Sequence, residues 1–132
     1  MGGALASFAC AGCGGAISPD ELQRGVASLG ATAAEGRLVA LDAVEDRTKT
    51  TFVRVEARDL GDEAVHEAEK LQDAQVGPSL LRRKAQAVRL AQDVDAALGD
   101  LQVAPSDPAV ARDVEGRLDA LSKRAQVLVD LL

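Results

Sequence analysis

Apolar and small residues return along this chain in steps of three and four. Leu22, Val26, Leu29, Ala33, Gly36, Ala40 and Val44 form one stripe on a 3.6-residue helix. Just ahead of them stands Ser18-Pro19-Asp20-Glu21, with Ser18 at the N-cap position, Pro19 at N1 and Glu21 at N3 of a capping box. These signals predict a first helix from 19 to about 46, followed by a polar corner at Asp46-Arg47-Thr48-Lys49-Thr50. Val53, Ala57, Leu60, Ala64, Ala68 and Leu71 predict a second helix over about 50–75. Val53, Val55 and Ala57 also alternate with Arg54, Glu56 and Arg58 as a strand would, but no second alternating run pairs with them, and a lone strand is not stable.

Gly77-Pro78 breaks the pattern, with Ser79 as the expected cap of a third helix over 79 to about 102. Its stripe is Leu80, Ala87, Val94 and Leu101, filled in by Leu90, Ala91, Ala97 and Leu98. Ala104-Pro105-Ser106-Asp107-Pro108 is the next break, where Ser106 or Asp107 caps and Pro108 takes N1. The fourth helix carries Val110, Val114, Leu118, Leu121, Ala125, Leu128 and Leu132. Matching lengths, short connections and one stripe per helix predict an all-α fold, an antiparallel up-down-up-down four-helix bundle spanning 18–132. The runner-up is a helical hairpin that completes its core by dimerising.

Composition sharpens this picture. The 132 residues include 25 Ala, 17 Leu and 14 Val but one Ile, two Phe and no Tyr or Trp, a mix that favours helix over strand. The high Ala, Gly, Val, Arg and Asp content suits a GC-rich bacterial genome. The net charge is −6. A basic face for a nucleic-acid backbone is therefore not expected, and two Phe do not make a stacking platform for single strands.

Residues 1–17 differ from the rest. The first charged residue is Asp20, and the stretch from Ala4 to Ile17 is apolar, small and glycine-interrupted. It is too short to span a bilayer and is closer to the apolar core of a secretory signal. Its end, Cys10-Ala11-Gly12-Cys13, resembles the lipobox of bacterial lipoproteins, with Cys10 where that family commonly has Leu. The resemblance implies lipidation of Cys13, a Gly-rich tether behind it, and a cell-envelope location on the outer face of the cytoplasmic membrane. Other readings stay open. A plain N-terminal tail with two incidental thiols would leave a cytosolic helical interaction module. A zinc site lacks a second Cys pair, c-type haem attachment lacks a His after Cys13, and a thioredoxin-like motif lacks a preceding strand.

Candidate chemistry is sparse. Glu63-Ala64-Val65-His66 has the Glu-x-x-His spacing of di-metal bundles. On a 100° wheel, however, His66 falls about 150° from the centre of the second stripe, and His66 is the single His of the chain. The reading is an exposed His, with no metal site, no cofactor and no catalytic residue expected; a metal-binding bundle is the alternative. Seven acids between 56 and 73 meet Arg82-Arg83-Lys84 at one corner, where ordinary pairing across the corner is expected rather than a docking patch. Off the stripes, Leu38, Val39 and Leu41 end the first helix, and Phe52 and Val55 begin the second. Phe52 is expected in the core. Leu38 and Val55, more than about 150° from their stripe centres, are the expected exposed pair at which a protein partner would dock. The function expected from all this is a non-catalytic binding or structural module held to the membrane by lipid.

Overall fold

The computed structural model describes residues 15–132, most of which lie in four long helices: α1 (Pro19–Val44), α2 (Thr50–Asp73), α3 (Leu81–Val103) and α4 (Pro108–Asp130). No strand occurs among the described residues, and 53–57 lie inside α2.

Each helix starts and stops for a local reason. At α1, the Glu21 N–H donates to Ser18 Oγ at 3.2 Å and the Ser18 N–H donates to Glu21 Oε2 at 2.7 Å, which closes the capping box. The far end of α1 closes on Asp46, whose φ of 53° is left-handed. There the Arg47 N–H reaches the Asp42 carbonyl at 2.9 Å and the Asp46 N–H reaches Ala43 at 3.3 Å, the paired bonds of a Schellman closure. Asp is among the few residues other than Gly that tolerate this conformation. At α4, Asp107 Oδ1 accepts from the Ala109 N–H at 2.9 Å, and Pro108 sits at N1. The start of α3 corrects the expectation for Ser79. A 3₁₀ turn, Pro78–Leu80, leads directly into the helix, and no side chain caps α3. Pro78 fixes that turn one residue too early for Ser79 to stand at the N-cap.

The four stripes meet in one core. Leu22, Leu29, Leu90, Leu98, Leu101 and Leu118 are fully buried, with Val26, Val53, Val94 and Val114 among them. Every residue of the α2 stripe is buried, and Val44, Leu80, Val110 and Leu132 close the ends of the other stripes as partly buried residues. Successive helices joined by short turns run antiparallel in up-down-up-down order. The broadest faces are α1 on α4 and α2 on α3, while the α1–α2 and α3–α4 seams are thinner.

With so much Ala in the core, close approach has to replace side-chain bulk. Gly36 in α1 is enclosed by core side chains on two sides. A Cβ there would lie 2.7 Å from Leu98 Cδ2 on α3 and 3.1 Å from Leu118 Cδ1 on α4. Both leucines are fully buried and have nowhere to retreat. Gly116 on α4 is the opposite case, with nothing within 4 Å of the same position. Ala in place of a helical Gly gains up to about 1 kcal/mol, whereas overfilling a packed core costs about 1–3 kcal/mol. Two Gly→Ala changes in one protein should therefore have opposite signs. In urea titrations, Gly36→Ala lowers stability by up to about 2 kcal/mol, and Gly116→Ala raises it by about 0.5–1 kcal/mol.

Candidate functional site

The lipobox-like Cys10-Ala11-Gly12-Cys13 lies outside the described residues. What is visible is where the chain behind it joins the bundle. Ile17 packs partly buried against the core, and its N–H donates to the Gln75 carbonyl at 2.7 Å, just past the end of α2. No helix of the described residues is long and apolar enough to cross a membrane.

At the α1–α2 corner, Leu38 is 57% exposed and Val55 37% exposed, on the outward faces where their angular positions put them. Phe52 corrects the sequence reading. It is 49% exposed and does not close the core. Val39, which the stripe had left out, is 7% exposed and fills that end of the core beside Ala40 and Val53. The reason is geometric: Phe52 immediately precedes Val53, so when Val53 points inward Phe52 lies about 100° away.

Glu63 and His66 are both exposed on α2. Among the described residues no group of three or more His, Cys, Asp or Glu side chains comes together as a metal site would require. The acidic–basic corner is also organised differently from the expected side-chain pairing. Lys84 Nζ donates to the backbone carbonyls of Gln72 at 2.9 Å and Ala74 at 2.7 Å. A lysine from α3 thus caps the negative end of α2, supplying the cation that the end of a helix favours. Arg83 turns to Gln86 Oε1 at 3.1 Å within its own helix.

Carboxylates meet across the α2–α3 face. Asp95 is half-buried beside Gly61 and faces Asp62; burial first, and the charge of Asp62 second, push its carboxyl above the ordinary 3.8. On the α3–α4 seam, charges are complementary instead. Arg117 Nη1 meets Asp100 Oδ2 at 2.6 Å and Asp113 Oδ2 at 3.1 Å, and Arg124 Nη2 meets Asp93 Oδ2 at 2.7 Å.

One concave surface went unnoticed in the sequence. Between the first turns of α3 and the last turns of α4 runs an open groove of about 470 Å³, with Ala85, Val127, Leu128 and Leu131 on its walls and Arg82, Arg89 and Arg124 around it. Val127 and Leu131 stand four apart beside the α4 stripe, and Arg82 and Arg89 seven apart on α3, so each helix shows half of the signal and neither shows the whole. The sequence matches no family model, no curated protein and no solved structure.

Three outcomes follow from this geometry. Leu38→Ser combined with Val55→Ser should leave the melting temperature nearly unchanged. Phe52→Ala should cost only about 1 kcal/mol, where a fully buried Phe would cost about 3–5 kcal/mol; a loss in that higher range in denaturant titrations would place Phe52 in the core. The third outcome concerns pH. A carboxyl raised in the folded state favours folding only while protonated, and that contribution is lost as pH rises through the folded value. Asp95→Asn should therefore raise the melting temperature at pH 7, with the gain shrinking as pH falls towards and below the ordinary 3.8. A gain independent of pH would show that ionisation of Asp95 is not the cause.

Proposed function

We propose that this protein is a small envelope lipoprotein, lipidated at Cys13, whose helical bundle acts as a non-catalytic binding or structural module outside the cytoplasmic membrane. The observation that carries the reading is the sequence Cys10-Ala11-Gly12-Cys13 at the end of an uncharged apolar stretch, a few residues ahead of the capped start of α1. Ile17 is in keeping with it, since it ties the chain ahead of α1 to one end of the bundle. A binding role is supported by what the bundle offers at its surface. Its features there are exposed apolar residues and charged seams, and its core is filled by aliphatic side chains.

Metabolic labelling with a radioactive fatty acid, followed by membrane fractionation, tests the reading. Wild-type protein should carry label and sediment with membranes. Cys13→Ser should lose both properties, and Cys10→Ser should keep both. Unlabelled wild-type protein, or label that survives in Cys13→Ser, would reject it.

A further inference from the structure

We propose that the α3–α4 groove seats an anionic phospholipid of the membrane surface, its phosphate among Arg82, Arg89 and Arg124 and the upper part of its acyl chains on Val127, Leu128 and Leu131. The groove joins two features seldom found together on this acidic chain. Its apolar wall is solvent-facing, with Val127 59% and Leu131 54% exposed. Arg82, Arg89 and Arg124 all line it, in a protein of net charge −6, and Arg89 and Arg124 meet at one carboxylate, Asp93. Among the described residues, Asp93 is the carboxylate that pairs with these arginines, at 2.7 Å from Arg124 and 3.5 Å from Arg89. Three arginine side chains thus line the groove and one carboxylate is ion-paired with them, an excess of cationic groups that suits an anionic ligand. Guanidinium binds phosphate through paired N–H donors and gives up its hydration more readily than an ammonium does.

The groove is also at the right end of the molecule. Gln23 Nε2 in the first turns of α1 donates to the Val129 carbonyl at 3.0 Å, which joins the start of α1 to the end of α4. Ile17 joins the same end to the α2–α3 corner. The chain from Cys13 to Ile17 spans at most about 14 Å. On the lipoprotein reading, on which this inference rests, the groove is therefore held within reach of headgroups, and a contact too weak to recruit a free protein suffices at the high local concentration a tether creates.

Two other occupants fit less well. Residues 1–14 are apolar, but no acid precedes Asp20, so they offer the three arginines no counter-charge. A second copy would present its acidic stretch at 56–73, where Val65 is the exposed large apolar residue, too little to cover the groove. An anionic phospholipid carries both the charge and the adjoining hydrocarbon.

The test uses the full chain with Cys10→Ser and Cys13→Ser, unlipidated, observed by methyl NMR. Dihexanoylphosphatidylglycerol below its micelle concentration should shift the methyl resonances of Val127, Leu128 and Leu131. Dihexanoylphosphatidylcholine should bind at least tenfold more weakly. Arg82→Gln with Arg89→Gln should weaken the phosphatidylglycerol response at least tenfold with an unchanged melting temperature, and raised salt should weaken it as well. Equal response to the two lipids, shifts away from the groove, the same shifts from glycerol phosphate alone, or a groove that answers an acidic amphipathic peptide and not the lipid would each overturn the proposal. Failure here leaves the labelling of Cys13 untouched. Loss of labelling, in turn, leaves the lipid preference of the unlipidated chain measurable.

Discussion

The bundle depends on how closely α1 can approach its three neighbours. Gly25 meets Glu67 and Leu71 of α2, Gly30 meets Ala125 of α4, and Gly36 meets Leu98 of α3 and Leu118 of α4. Each glycine costs α1 about 1 kcal/mol of intrinsic helix preference. In return the helix axes come near enough for a core of alanines, leucines and valines to fill without aromatic residues. Bulky residues at these points would hold the helices apart and leave Ala33, Ala40, Ala64 and Ala91, all buried here, facing voids.

The fold was legible because periodicity and punctuation agreed. Ser18-Pro19-Asp20-Glu21 and Asp107-Pro108 fix two helix starts by hydrogen bonds that are local in sequence, so nothing distant overrides them. The stripes fixed the buried faces for the same reason. What escaped notice depends on tertiary placement. Whether Phe52 or Val39 closes a core end turns on a rotation of about 100° between adjacent residues, settled by which neighbour α1 and α2 present to each other. Lys84 caps α2 from another helix across the 74–80 connection, an arrangement no pattern within α2 shows. The groove is split between α3 and α4 and exists only once they pack. The exposure of Leu38 and Val55 was readable from the helical wheel; their use in docking rests on more than the wheel.

Charge plays a secondary part in holding the helices together. Arg37 Nε meets Glu115 Oε1 at 2.8 Å across α1 and α4, and Arg117 and Arg124 bridge α3 and α4. These pairs are solvent-accessible, and such contacts contribute at most about 1 kcal/mol each. The opposed Asp62 and Asp95 work against the α2–α3 face, which nevertheless is one of the two broadest in the bundle. Apolar burial and short turns therefore set the order of the helices, and the ion pairs follow the seams that packing has already made.

The hydrogen bond from Ile17 to Gln75 has a mechanical consequence. A domain held by one free helix end can swivel; here Ile17, just ahead of α1, is also bonded to the chain just past α2 at the same end of the bundle, so a pull reaching Ile17 is shared between the start of α1 and the end of α2. On the lipoprotein proposal, a bundle anchored ahead of Ile17 would be held by two helix ends and not by one. Its far corner, with Leu38 and Val55, would stand roughly 30 Å above the footing, given 1.5 Å per helical residue. That height is several times the distance of about 8–10 Å over which salt screens a charged surface. The two ends of one small bundle would then work in different electrostatic surroundings, the base within the field of the headgroups and the tip beyond it.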